Sequence, residues 1–152
     1  MLYTYLMFSL SIGIEGGMQA PVLGFDDLAT GSVIDAVVSG QTHDLALSMA
    51  LQGSFIPGEN PGYSFTSYGA RLGLHKDNWR ISPVLDAGFD YGQRKLDQAA
   101  ESGYTLGYGL GLMIKFRYES LHIYPKFCYE GVSDLAAQGG FFTFKLRILY
   151  EL

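Results

Sequence analysis

Residues 142–152 read Phe-Thr-Phe-Lys-Leu-Arg-Ile-Leu-Tyr-Glu-Leu. Phe142, Phe144, Leu146, Ile148, Tyr150 and Leu152 share one face, while Thr143, Lys145, Arg147 and Glu151 point the other way. Only Leu149 interrupts the alternation. A period of two is the mark of a β-strand with two different environments on its faces.

The same period recurs upstream. Ile81, Pro83, Leu85, Ala87, Phe89 and Tyr91 continue a row that starts at Trp79, opposed by Arg80, Ser82, Val84, Asp86, Gly88, Asp90 and Gly92. Tyr104, Leu106, Tyr108, Leu110, Leu112, Ile114 and Phe116 form a third row against Thr105, Gly107, Gly109, Gly111, Met113 and Lys115. Each run is long for a strand, since globular strands average about five or six residues. Turn signals between the runs place eight strands near 8–19, 29–39, 43–57, 63–75, 79–92, 103–116, 121–132 and 139–152. The second is the weakest, because Ile34, Ala36 and Val38 oppose Val33, Asp35 and Val37.

Composition narrows the class. The chain has 152 residues, a length that suits one domain spanning 1–152. Charged residues make up 16%, against about 25% in ordinary globular proteins. There are 20 Gly, and aromatics reach 14%. A net charge of −5 argues against a nucleic-acid partner, which selects a basic face. The apolar content excludes disorder. The lone Cys128 excludes an internal disulfide and reads as a small packing residue. The stretch Leu2–Ile14 is too short for a spanning helix and is broken by Thr4, Ser9, Ser11 and Gly13. It also lacks the basic start and cleavage site of a signal peptide, so it reads as part of the folded chain, with any export signal removed or upstream.

The connections alternate in length. Ser39–Thr42, Lys76–Asn78 and Arg117–Ser120 are tight turns, whereas Ala20–Leu28, Gly58–Gly62, Gln93–Ser102 and Ser133–Gln138 are mostly longer. Short turns at one end and longer loops at the other are the asymmetry of a transmembrane β-barrel. The bulky rows cannot point inward, since eight strands enclose a lumen just wide enough for side chains to fill. Glycine, serine and paired charges fit there; a dozen residues of Phe, Tyr and Leu per strand do not. The sequence therefore predicts an all-β, eight-stranded antiparallel up-and-down transmembrane β-barrel. Closure leaves no open sheet edge in lipid. A soluble lipocalin-like carrier is the fallback, and would need polar outer faces.

Aromatic residues gather towards the strand ends. Trp79, Phe116 and Tyr150 lie near the tight turns; Phe89, Tyr91, Tyr104, Phe127, Tyr129 and Phe142 lie near the loops. Two such belts match the interfacial girdles of membrane barrels. Pro83 and Pro125 fall inside strands, where the missing donor predicts local bulges or bends.

This layout resembles the small eight-stranded outer-membrane barrels of Gram-negative bacteria, the OmpA/OmpX type, over essentially the whole chain. The C-terminal strand is similar to that family's recognition signal for the barrel-assembly machinery: Leu146, Ile148 and Tyr150 fit it, while Leu152 stands where the family commonly ends in Phe. The resemblance implies an outer-membrane location with both termini periplasmic. It also implies contact with lipid and lipopolysaccharide, and a place in a larger envelope complex.

The inward face carries Glu15, Asp35, Arg71, Asp86, Lys126, Lys145 and Arg147 at similar heights. Charges in a narrow lumen must be paired, so a salt-bridge network is expected. The alternative is a narrow pore, with Gly107, Gly109 and Gly111 leaving space, unless they make room for neighbours such as Tyr124. A lipid-A-modifying enzyme is a further alternative. However, His75 and His122 project inward near the tight turns and His43 lies at the same end on the other face. The loop end, where outer-leaflet chemistry would occur, has no His. No His spacing suits a metal, and no cofactor or catalytic residue is expected. The charged loop Gln93–Ser102, with Arg94, Lys95, Asp97 and Glu101, is read as a solvated tip that could touch lipopolysaccharide phosphates. The expected role is non-enzymatic: a structural, interaction or membrane-anchor barrel.

Overall fold

The computed structural model describes residues 9–25, 27–133 and 138–152. Its strands are β1 (Ser9–Leu23), β2 (Gly31–Gln41), β3 (Leu45–Pro57), β4 (Ser64–Lys76), β5 (Ile81–Leu96), β6 (Ala99–Ile114), β7 (Phe116–Tyr118), β8 (Leu121–Ser133) and β9 (Gln138–Glu151). Neighbours in sequence pair antiparallel, and β1 also pairs with β9, so the sheet closes on itself. β6 and β7 are one stave: both pair with β8 in a single continuous register, giving eight staves in all. The shortest of the eight staves, β2, has 11 residues. At about 3.3 Å per residue and a tilt near 40°, it rises roughly 28 Å, close to the apolar thickness a membrane barrel presents.

The faces divide as alternation requires. The rows through Trp79, Tyr104 and Phe142 are exposed, and their opposing rows are buried or half-buried apart from Arg80, which is exposed before β5 begins. β2, ambiguous in sequence, turns Val33, Asp35 and Val37 inward and Ile34, Ala36 and Val38 outward. Its rungs with β1 set that choice: Glu15 opposes Asp35, and a one-residue slip of β2 would send Asp35 to the apolar surface.

Three expectations need correction. The two prolines cause no bulge. β5 and β6 pair in one register past Pro83, which lies just beyond the last rung of β4 with β5 (His75 with Val84). Tyr124 and Pro125 stand across the gap between β6 and β7, where the missing proline donor interrupts the ladder without shifting it. The register shift found is in β1 instead, between Pro21 and Leu23. Second, the loop at Gln93–Ser102 is not a loop. β5 and β6 continue as a hairpin to the rung Leu96–Ala99, and Asp97 takes a left-handed conformation at the tip (φ 52°). Third, β1 extends to Leu23, which shortens the loop placed at Ala20–Leu28. Phe8, expected to open the first strand, and residues 134–137 of the last loop lie outside the described residues.

Candidate functional site: the charged lumen and its apolar closures

The centre of the barrel is filled by ion pairs. Arg147 Nε donates to Glu15 Oε2 at 2.5 Å, directly across the rung that closes β1 on β9. Lys126 lies 2.7 Å from Asp86 and 3.4 Å from Glu15. Lys145 reaches Glu130 at 3.0 Å, Asp35 at 3.1 Å and Glu15 at 3.6 Å. Arg71 pairs with Asp90 at 2.5 Å, and Gln19 donates to Glu130 at 3.1 Å. The structure thus brings six of the seven expected residues into one connected set through Lys126 and Lys145. Arg71 stands apart, paired with Asp90.

Two members of this layer escaped the sequence reading. Glu130 has the inward parity of Lys126 and Cys128, and Asp90 that of Asp86. Their distance from the tight turns kept them from being counted with the others. The glycines of β6 make room, though not for Tyr124. A Cβ at Gly107 would meet the Arg71 guanidinium, at Gly109 the Asp86 and Glu130 side chains, and at Gly111 Cys128 Sγ. Glycine on one stave is what lets large charged side chains from the facing staves lie across the lumen.

Towards the tight turns an apolar septum crosses the lumen, formed by Val37, Ala50, Val84, Met113, Tyr124 and Leu149. Leu149, the residue that breaks the C-terminal alternation, is 1% exposed and sits in this septum. Below it a polar mouth is held by Asp77, which takes Arg117 and also faces Lys115 at 3.7 Å; Arg117 reaches the Tyr124 hydroxyl at 3.0 Å. Lys115, in the break between β6 and β7, is buried and also donates to Lys76 O. His75 and His122 are buried at this end and His43 is exposed, as their parity requires. Cys128 is buried against the β6 glycine row.

Towards the loops a second apolar layer closes the lumen. Leu28, Ile56, Phe65 and Phe141 pack with Phe25 and Val132, and the Phe25 and Phe141 rings stack with centroids 4.8 Å apart. The segment after β1 supplies Phe25 and Leu28 by folding over the mouth. Gly24 turns the chain with a positive φ of 72°, Ala29 N–H bonds Pro57 O, and Glu59 N–H bonds Asp27 O. Arg94 latches it from above, 2.6 Å from Asp27 and over the Phe25 ring. Between the two closures the described lumen holds two cavities of about 10 Å³ each, one beside Asp35 and Lys145 and one beside Asp90 and Thr105. Each takes one water.

On the outer surface Trp79, Phe89, Tyr91, Tyr104, Phe116, Phe127, Phe142 and Tyr150 are exposed and Tyr129 is half-buried. The row Leu146, Ile148, Tyr150 and Leu152 is exposed on and just beyond β9.

No protein-family description and no curated protein matches the sequence. Solved structures do match. Neisserial surface protein A superposes with a TM-score of 0.59 at 11% identity, covering 93% of this chain and 96% of that one. The attachment invasion locus protein of Yersinia pestis, Ail, gives 0.58 at 17% identity, covering 95% and 97%. The N-terminal β-barrel domain of Pseudomonas aeruginosa OprF gives 0.55 at 12%, covering 93% and 97%. These are small eight-stranded outer-membrane barrels. In fold, this closed eight-stave barrel with its polar lumen and apolar exterior is one of that kind.

Proposed function

We propose that the chain is an integral outer-membrane barrel with a structural or anchoring role, and that it does not conduct. The observation that carries this reading is the lumen. Ion-paired side chains fill its centre, an apolar layer closes it at each end, and the two cavities described between them have room for about one water each. Its charged groups are spent on one another across the staves, which favours rigidity over turnover of a substrate. The exposed Leu, Ile, Phe and Tyr rows support lipid as the outer solvent, because a water-facing barrel needs a polar exterior. The aromatic residues at the strand ends serve as the interfacial girdle. On this reading the end with the tight turns, and both termini with it, faces the periplasm, a placement supported by the longer connection after β1 at the opposite end. The outward row Leu146, Ile148, Tyr150 and Leu152 is the segment offered to the assembly machinery.

Planar-bilayer recording of the purified, heat-modifiable protein tests the closed lumen. The expected trace is flat at all holding potentials. Reproducible unitary steps from folded protein would replace this reading with the small-pore alternative.

A further inference from the structure

The central layer does not balance. Among the described residues five carboxylates turn into it (Glu15, Asp35, Asp86, Asp90 and Glu130), against four cations (Arg71, Lys126, Lys145 and Arg147). Pairing each cation with its nearest acid assigns Arg71 to Asp90, Lys126 to Asp86, Arg147 to Glu15 and Lys145 to Glu130. Asp35 is left over, sharing Lys145 at 3.1 Å. It is 3% exposed, and its Oδ1 receives no hydrogen bond. The residue lines the water-sized cavity together with Glu15, Lys126, Lys145 and Arg147.

Glu15 and Asp35 are opposed on one rung of β1 and β2, and both are buried and line this cavity. Two ionised carboxylates have only acceptors to offer, so rung neighbours inside the lumen need a positive charge between them. An uncompensated charge in a dry lumen is expensive. We propose that the Glu15–Asp35 pair binds one further unit of positive charge, a proton or an alkali-metal ion, which makes the central layer neutral.

The groups facing the pair come from every neighbouring stave: Lys145 and Arg147 on β9, Lys126 and Glu130 on β8, Asp86 on β5 and Arg71 on β4. β3 contributes Gln52 and Ser48. His75 lies nearer the tight turns and does not line this cavity.

Infrared spectra of the folded protein in micelles at neutral pH, in sodium chloride and again in choline chloride, separate the two sources. A bound proton gives a carboxylic-acid C=O band in the wild-type chain, lost in Asp35→Asn and kept in the exposed control Asp97→Asn. A bound alkali ion gives no such band, but raises the urea midpoint in sodium over choline, an effect lost in Asp35→Asn. Absence of the band together with equal midpoints in the two salts overturns the proposal on the wild-type chain alone, whatever the variant's folding. A band that survives Asp35→Asn overturns the assignment to this pair.

Discussion

Arg71→Met is the sharpest test of the charged lumen. Arg71 is the only cation paired with Asp90 among the described residues, at 2.5 Å, and both side chains are almost fully buried. Removing the guanidinium leaves a carboxylate in a lumen that offers water one small cavity. Breaking a buried pair from one side costs about 3–5 kcal/mol, so Arg71→Met should lower stability by that amount. Asp90→Asn should cost about 3 kcal/mol or more by the converse argument, since it strands the guanidinium. The double variant removes both charges and should cost less than the two singles summed, with a coupling of up to about 3 kcal/mol. Equilibrium urea unfolding from lipid vesicles reads these values. Trp79, the single tryptophan, supplies the signal, because it is exposed on the outer surface and moves from an interfacial setting to water on unfolding. A cost below about 1 kcal/mol for Arg71→Met, which is the scale of a solvated surface pair, would refute the reasoning. So would strict additivity of the two substitutions.

Two further outcomes follow from the same geometry. Leu149→Ala in the septum should cost about 2–5 kcal/mol in urea unfolding, as for other buried leucines; a near-neutral result would mean the septum is loosely packed. Gly111→Ala should be destabilising by about 1–3 kcal/mol, because the new Cβ would stand 2.3 Å from Phe127 O, a backbone atom, whereas Gly103→Ala has open space and should stay within about 0.5 kcal/mol.

The staves were legible because a closed barrel imposes one rule on every strand. The parity of the Trp79, Tyr104 and Phe142 rows matches their exposure, and the seven inward charges follow from the same alternation. The exceptions arose where another constraint overrode alternation. Leu149 breaks the pattern because a barrel of this width needs an apolar plug as well as charges, and nothing local says which end receives it. The Phe25–Phe65–Phe141 closure was missed because Phe25 comes from a connection, not a strand, and its position depends on pairing with the segment after β3. The hairpin at 93–102 was mistaken for a loop because its polar composition marks solvent, and strands that rise beyond the apolar band are polar on both faces.

The rung Glu15–Arg147 joins residues 132 positions apart, and it belongs to the pairing that shuts the barrel. A sheet with eight staves in place but that seam still open would keep Glu15 and Arg147 in water, each fully hydrated. Zipping the seam is therefore also the step that dehydrates the lumen. Ion pairing between β1 and β9 cannot build up gradually; it arrives with closure and is lost with it. The contact separates two populations, an open sheet with wet charges and a shut barrel with dry ones, and it disfavours anything between. Such a molecule should release from the membrane slowly, because the first move of unfolding must reopen the one seam where both its ends are held.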